Sequence, residues 1–201
     1  MKSRVLAGTA ALLLAASLPA CLFRPRPDQT RYYTLAADAD APVQLASGLT
    51  VGLGPVILPG YLGRPSLVTR LDATRVEYAE MERWAEPLRK QFIRTLNENL
   101  SLALGGALVL DFPWRPGGPM DVAVRVDVRA FENDAAGTAM LTADWALRAP
   151  TSGAVVAQGK SVITEPAAGT GGDAAVAALN RALARFAREL AAAIATNGRR
   201  R

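Results

Sequence analysis

Residues 122–129, which read VAVRVDVR, decide the fold of this chain. Valine occupies every second position, and small or charged residues lie between the valines. Only an extended strand places alternate side chains on opposite faces, so this period of two predicts a half-buried strand. Residues 141–148 repeat the alternation beyond a turn at 133–137, and a second turn at 151–153 leads into residues 155–164. The three segments together predict an antiparallel meander.

A first helix is predicted upstream of the meander, from Pro87 to about Ala103. Proline suits the first turn of a helix, and the pair Gly105-Gly106 provides an end signal. Large apolar residues recur every four positions and define one face for burial. These residues are Leu88, Phe92, Leu96 and Leu100.

A second and longer helix is predicted from about Ala174 to Thr196, with Asp173 as its N-cap and Asn197-Gly198 at its end. Six large apolar residues share one narrow face of this helix. They are Val176, Leu179, Leu183, Phe186, Leu190 and Ile194. Arginines at 181, 185 and 188 argue against a membrane span. We expect the apolar face to pack on the sheet, and a helix lying on a membrane surface is the alternative.

Shorter β-prone runs precede the first helix. They are Arg31–Leu35, Leu49–Leu53, Leu67–Arg70 and, after a turn at residues 72–74, Val76–Tyr78. Glycines at 52 and 54 fall on one face of the second run. The sequence therefore predicts a single α+β domain with a mainly antiparallel sheet and two principal helices packed on it. Trp145 falls on the apolar phase of its strand and is predicted to be a core residue.

The first 20 residues have the pattern of a lipoprotein signal peptide. Lys2 and Arg4 precede an apolar stretch from Val5 to Leu18, which is shorter than the ~20 residues of a membrane span. The following tetrapeptide, Leu18-Pro19-Ala20-Cys21, resembles a lipobox, from which only Pro19 departs. We therefore expect Cys21 to carry a covalent diacylglycerol lipid. Ordinary signal cleavage and a buried cysteine in an uncleaved chain are the alternatives.

Residues 21–30 contain the lipidated cysteine and two prolines, Pro25 and Pro27, so we expect them to form a stiff tether. Residues 31–197 then form the folded periplasmic domain, and residues 198–201 form a basic tail. Leu22 follows the cysteine, where an aspartate would resemble an inner-membrane retention signal. The expected location is therefore the periplasmic face of the outer membrane.

Composition restricts the chemistry open to this protein. The chain has no histidine, which excludes Ser-His and Cys-His catalysis and histidine metal sites. The carboxylates of Asp127, Glu132, Asp134 and Asp144 form no predicted acid–base pair. We therefore expect no catalytic residue, no metal and no cofactor apart from the lipid on Cys21. The formal charge of +5 is interpreted as a solvated basic surface, and nucleic-acid binding is not expected.

Several motifs occur in order over about 150 residues behind the lipobox. They are YYTL at 32–35, VGLGPV at 51–56, LPGYL at 58–62, RP at 64–65, LVTR at 67–70, RWAEPL at 83–88 and VDV at 126–128, followed by Phe131, Leu141, Trp145 and the alanine-rich last helix. This ordered set resembles the PqiC/YmbA-type ABC-transport auxiliary lipoproteins, which are membrane integrity-associated transporter subunits. Gly63 departs from the family pattern, in which an acidic residue often stands at that position.

The resemblance implies a docking or accessory role in an MCE-type (Pqi- or Mla-like) intermembrane lipid-transport system that supports envelope integrity. The implied partners are a periplasmic MCE-domain protein and its inner-membrane transporter or permease, with the outer membrane held through the lipid anchor. A homo-oligomer is one of the states that the sequence allows. The alternative function is a lipid-binding shuttle or envelope-assembly lipoprotein whose domain itself encloses an acyl chain.

Two segments are candidate partner contacts, because each combines rigid backbone with aromatic or arginine side chains. The first is the loop from Pro59 to Pro65, with Tyr61 and Arg64 as its expected exposed side chains. The second is the corner formed by Arg83 and Trp84. The structural alternatives are a crossover loop in which Tyr61 plugs the core, and a Trp84 that packs the helix entrance while Arg83 pairs with Glu86.

We predict that Cys21→Ser abolishes anchoring without unfolding the domain. Loss of the thiol removes the attachment point for two or three acyl chains, each of which contributes ~0.8 kcal/mol per buried methylene. The variant should therefore appear as an uncleaved or a soluble periplasmic form in cell fractionation. If it still fractionates with the outer membrane after a high-salt wash, the lipid is not the anchor.

Overall fold

The computed structural model describes residues 27–38, 48–114 and 119–198. The predicted signal peptide, Cys21, the first part of the tether and the three C-terminal arginines lie outside the described residues. The strands are β1 (Arg31–Tyr33), β2 (Thr50–Ile57), β3 (Ser66–Arg70), β4 (Val76–Trp84), β5 (Leu108–Asp111), β6 (Val122–Asp134), β7 (Ala139–Arg148) and β8 (Val155–Glu165). The helices are α1 (Leu88–Ala103) and α2 (Gly171–Asn197), and a 3-10 turn spans Gly60–Gly63.

All eight strands belong to one sheet that forks at β6. One edge of β6 pairs with β7 along its length, and β7 pairs with β8. The other edge is divided, because β2 pairs with residues 122–127 and β3 with residues 133–134. One arm of the fork is β2–β5, and the other is β3–β4–β1. The central strand β6 therefore holds three groups of strands together.

The predicted α+β class with a mainly antiparallel sheet is confirmed, and the sheet is mixed in detail. The β6–β7–β8 meander has the two longest ladders, and both are antiparallel. Shorter parallel pairings join β2 to β6, β3 to β6, β2 to β5 and β1 to β4. The strand β5 was not predicted. Its four residues lack a polar alternation, which leaves too short a signal for a sequence pattern.

Both helices lie on the face of the sheet that carries the valines of β6. All six residues of the predicted apolar stripe of α2 are buried. Gly172, in its first turn, donates a backbone hydrogen bond to Glu82 Oε1 (3.0 Å), whereas Asn197 and Gly198 border the same cleft as Leu49 and Val122. Helix α2 therefore runs from the β1–β4 arm towards the first residues of β2 and β6.

The start of α2 differs from the prediction. The N-cap is Thr170, and Asp173 is the third helical residue. The sequence prediction missed the first three helical residues. Gly171 and Gly172 have low helix propensity, so the pattern placed the start of the helix after them. Asp173 still lies in the first turn, where its negative charge interacts favourably with the helix dipole.

Helix α1 packs the predicted face, on which Phe92 makes an edge-to-face contact with Phe131 of β6 (5.1 Å between ring centroids). Its neighbouring face holds the chain segment that follows β1. Gln91 Oε1 accepts the backbone N–H of Leu35 (2.7 Å), and Asn99 Oδ1 accepts that of Asp38 (2.9 Å). On α2, Asn180 Oδ1 accepts the N–H of Ala36 (3.2 Å). We call residues 34–38 the strap, since side-chain amides of both helices hold its backbone.

The glycine face of β2 is covered by aromatic and thioether side chains. Trp114 and Met120 lie directly over Gly52, so closely that a Cβ atom there would collide with Met120. Gly54 has a φ of +129° and lies under Phe112, which also makes an edge-to-face contact with Trp114 (5.2 Å). Glycine is therefore needed at 52 for space and at 54 for backbone conformation.

The prediction that Trp145 is a core residue is wrong in part, because its side chain is only half-buried. It extends across Gly159 of β8, and its indole Nε1 donates to Ser161 Oγ (3.2 Å). Since β8 is the last strand of the sheet, a tryptophan reaching over it is partly open to solvent. In the part of the chain described, no helix combines the length and apolarity needed to cross a membrane.

We predict that Leu183→Asp unfolds the domain, whereas Arg185→Asp is tolerated. Leu183 is completely buried in the seam between α2 and the sheet, whereas Arg185 is half-exposed two residues away on the same helix. Truncating such a leucine to alanine costs about 2–5 kcal/mol, and a buried unpaired carboxylate adds to this loss. Urea titration should show a loss of at least about 3 kcal/mol for Leu183→Asp and under about 1 kcal/mol for Arg185→Asp. Equal stabilities would contradict the orientation of α2.

Candidate functional site

The structure brings the two predicted contact segments together. The backbone N–H of Trp84 donates to the carbonyl of Pro65 (2.6 Å), and Arg83 is registered opposite Ser66 in the β3–β4 pairing. The Pro59–Pro65 loop and the Arg83 corner therefore form one continuous surface. We call it the loop–corner surface, defined by Pro59, Tyr61, Arg64, Pro65 and Arg83.

The loop is not a crossover. Both β2 and β3 run parallel to the same edge of β6, so the chain leaves that edge after Ile57 and returns to it at Thr69. The N–H of Leu62 donates to the carbonyl of Pro59 (3.1 Å) and closes the 3-10 turn, which the buried side chain of Leu62 fixes to the core. The loop therefore leaves the edge of β6 for a short distance, and the strands at both of its ends pair with β6.

Tyr61 fills the gap that the excursion leaves beside β6. Its hydroxyl donates to Glu132 Oε2 (2.8 Å), and its side chain is half-buried. Burial, reinforced by the hydrogen bond and charge of Glu132, raises the pKa of Tyr61 to about 12, so the phenol keeps its donated proton at neutral pH. The expectation that the Tyr61 side chain is exposed is therefore wrong, and the alternative of a plug describes its position, whereas its role as a partner contact stays a prediction.

Glu132 is the important residue of this site that the sequence did not identify. Its side chain is 0% exposed, and besides Tyr61 it binds Arg70 Nε (2.6 Å) and the backbone N–H of Phe131 (2.7 Å). The hydrogen bond to Glu132 raises the pKa of Arg70, whose side chain remains 25% exposed. A buried carboxylate that loses its partner costs about 3–5 kcal/mol, so this pair constrains the loop strongly.

A signal for the bulge that positions Glu132 was present in the sequence of β6. Continued alternation from Val122 would place Glu132 with the valines and Phe131 on the open face. A register shift between Val128 and Ala130 instead returns Phe131 to the core. An aromatic residue out of phase with the valines is a mark of such a bulge.

Arg64 is the exposed side chain at the tip of this surface. Its guanidinium carbon lies 4.5 Å from the centre of the Tyr78 ring, in a cation–π contact. The Tyr78 hydroxyl in turn donates to the backbone carbonyl of Tyr61 (3.2 Å). Arg64 is therefore stacked on the loop that carries it. Among the residues described, it forms no ion pair, so its N–H groups face solvent.

The corner residues have opposite placements. Trp84 is 5% exposed and packs in the core, whereas Arg83 is exposed. Glu86 pairs with Arg94 of α1, not with Arg83 as the structural alternative expected. Trp84 therefore fixes the entrance to α1 and offers almost no surface to a partner, whereas Arg83 is available.

Of the remaining carboxylates, Asp134 accepts turn N–H groups after β6, and the other two form a charged ladder on the open face of the meander. Asp127 and Asp144 are registered opposite each other, which the sequence did not show. Each is paired with its own arginine, Arg125 and Arg129 respectively, at 3.0 and 2.8 Å. The described ranges contain no cluster of three or more Cys, Asp or Glu side chains that could hold a metal ion.

A large cleft of about 740 Å³ lies at the end of α2. Its lining is mixed and includes Leu49, Asp121, Arg148, Pro150 and Asn197. It is separate from the seam between α2 and the sheet, where the helix side chains are fully buried against β6, β7 and β8.

Comparison with solved structures supports the architecture. One uncharacterised protein shares 22% sequence identity, with a TM-score of 0.68 over 82% of this chain and 98% of that chain. A Xanthomonas campestris protein of the DUF330 family shares 20% identity, with a TM-score of 0.66 over 84% of this chain and 97% of that chain. At these identities the likeness shows the fold alone. No curated protein matches the chain.

The family comparison covers most of the chain. The model of the ABC-type transport auxiliary lipoprotein component matches residues 33–191, which include every element from β2 to β8 and most of α2. This confirms the resemblance identified from the sequence motifs. The chain therefore belongs to the family of ABC-type transport auxiliary lipoprotein components.

Proposed function

We propose that this protein is an outer-membrane-anchored periplasmic docking component of an MCE-type (Pqi- or Mla-like) intermembrane lipid-transport system. The observation that carries the proposal is the loop–corner surface, which presents Arg64 and Arg83 from a fixed frame in a chain whose family serves ABC transporters. The periplasmic MCE-domain protein is the partner, and the permease or transporter of the inner membrane completes the system.

The rigidity of the surface suits it to protein recognition. Binding costs conformational entropy for every side chain and loop that becomes ordered, so a preformed surface loses less on association. The loop is already fixed by the Tyr61–Glu132–Arg70 contacts, and Arg64 is already stacked on Tyr78. Arginine is also among the residues that contribute most to protein interfaces.

The charge of the surface indicates the chemistry of the partner. Within the described residues neither Arg64 nor Arg83 has a carboxylate within ion-pair distance. A planar guanidinium binds a carboxylate through two parallel hydrogen bonds. The partner segment that fits here therefore carries aspartate or glutamate side chains.

Membership of a lipoprotein family supports an envelope location with a membrane anchor. The lipobox-like sequence at 18–21 supplies the attachment residue, Cys21, and Leu22 favours transfer to the outer membrane. A protein that connects two membranes needs an anchor in one membrane and a docking surface for a partner held in the other.

The alternative function, a shuttle that encloses an acyl chain, has less support. Such a protein needs an apolar cavity between the sheet and its covering helix. The side chains of α2 fill that seam, and the large cleft lies outside it with charged groups in its wall. A compact core of this kind favours the docking role.

We predict that Arg64→Glu and Arg83→Glu each weaken binding to the MCE-domain protein by about tenfold or more, because reversing a charge at an interface costs ~1.5 kcal/mol or more. Lys160→Glu on β8 is the matched control, since it makes the same charge change at an exposed site on the other side of β6. Affinities of the purified lipoproteins would be measured with melting temperatures alongside. Unchanged affinity in both loop–corner variants contradicts this site, and no affinity in the wild type favours the shuttle.

We predict that Tyr61→Ala lowers the melting temperature, because it opens the gap beside β6 and removes a partner of buried Glu132. The expected loss of stability is about 2–4 kcal/mol. Tyr61→Phe keeps the ring and should lose about 1–2 kcal/mol, from the hydrogen bond alone. Wild-type thermal stability in the alanine variant would show that the loop does not depend on this plug.

A further inference from the structure

The point at which the tether joins the domain carries two exposed apolar side chains. Tyr32 of β1 is 61% exposed and Met81 of β4 is 50% exposed. Tyr32 is registered opposite Arg83, and Met81 lies two residues before Arg83 on the same strand, so both side chains fall on the open face of this arm. The Thr30 hydroxyl contacts Met81 Sδ (3.8 Å), which confirms this placement.

The length of the tether keeps this patch near the membrane. Thr30 lies nine positions after Cys21, and the eight residues between them include two prolines. At the ~3.1 Å per residue of an extended proline-rich chain, nine positions reach at most about 28 Å. A lipid on Cys21 therefore holds Tyr32 and Met81 within this distance of the bilayer. Because the contact is intramolecular once the lipid is inserted, even a weak affinity for the surface is populated.

We propose that Tyr32 and Met81 contact the interfacial region of the bilayer that holds the Cys21 lipid. This inference rests on the lipid anchor of the proposed function. Tyrosine has an apolar ring with a polar end and is enriched at membrane interfaces, and methionine adapts its flexible apolar side chain to irregular surroundings. Together they orient the domain with its β1–β4 arm towards the membrane.

The acidic groups near the patch do not oppose this contact. Glu82 lies between Met81 and Arg83 and points to the other face, where its carboxylate accepts the N–H of Gly172. Asp28 accepts both the backbone N–H (2.9 Å) and the hydroxyl (2.6 Å) of Thr30 on one carboxylate oxygen, and its negative charge is offset by the nearby charge of Arg83. The open face of the arm therefore presents Tyr32, Met81 and the positive charge of Arg83.

This orientation places the loop–corner surface beside the membrane. Arg83 belongs to the loop–corner surface and is registered beside Tyr32, so a partner bound there is held next to the bilayer. The end of the domain that contains the large cleft and the last turn of α2 then points into the periplasm. A transport conduit docked in this position ends at the membrane surface.

A second apolar patch provides the competing orientation. Leu108 of β5 is 59% exposed and lies near the exposed Phe112, on the other arm of the fork. If apolar exposure alone decided which side meets the membrane, this patch would compete with the tether patch. The two orientations place different residues in the bilayer, so they can be separated by measurement.

The experiment uses the full lipidated protein in vesicles of phosphatidylethanolamine and phosphatidylglycerol. Cys21 is the only cysteine and its sulfur is blocked by lipid, so one introduced cysteine is the only free thiol. An environment-sensitive fluorophore would be placed in turn at Met81→Cys, Leu108→Cys and Val162→Cys, where position 162 is the exposed control on β8. Quenching by lipids with a nitroxide near the headgroup reports contact, and flotation reports anchoring.

We expect the label at 81 to lose at least about half of its fluorescence, because an interfacial side chain lies about 5–10 Å into the headgroup boundary. The labels at 108 and 162 should lose little. Tyr32→Asp should restore the fluorescence of the label at 81, whereas Thr164→Asp on β8 should not. Quenching at 108, or equal quenching at all three positions in protein that floats with the vesicles, overturns the proposed contact. Protein that does not float at all shows instead that the lipid anchor is wrong.

Discussion

The buried contact between Glu132 and its partners Arg70 and Tyr61 is the interaction on which the fork of the sheet depends. A strand edge needs hydrogen-bonding partners, and the edge of β6 obtains them from two separate strands, with a gap between. The carboxylate takes three donors in that gap. An unpaired buried carboxylate would be very unfavourable. Glu132 can bind both Arg70 and Tyr61 only when β3 and the loop lie against β6. The position of the β3–β4–β1 arm follows from that requirement.

The parts of the fold that the sequence predicted are those with strong local periodicity. The valine alternation of β6, the meander to β8 and the apolar faces of both helices each repeat over enough residues to stand out. The parallel pairings of β1, β2 and β5 join segments far apart in the chain, and no local pattern encodes them. Glu132 was not identified because its burial depends on a bulge within β6 and on a loop some 70 residues upstream. Trp84 was likewise a candidate contact residue, and the structure buries it where β4 pairs with β1 at Tyr33.

The candidate site shows how one surface can be assembled from separate signals. Residues of the loop and of the corner are about 20 positions apart, yet a backbone hydrogen bond between Pro65 and Trp84 joins them. In both segments the large aromatic ring faces inward and the arginine faces outward. The aromatic groups therefore supply the frame, and the charged groups supply what a partner can recognise. Sequence inspection named both kinds of residue as candidate contacts and left the buried placements of Tyr61 and Trp84 as alternatives, because it cannot separate frame from surface.

The strap bears on how the domain withstands mechanical tension. Any force that arrives along the N-terminal chain first meets β1, whose three residues pair with a single neighbour. The amide groups of Gln91, Asn99 and Asn180 hold the backbone immediately beyond β1, and they belong to two different helices. The strap therefore ties the chain beyond β1 to both helices through three side-chain amides. Tension that detaches β1 from β4 is then met by the helical layer before it reaches the rest of the sheet.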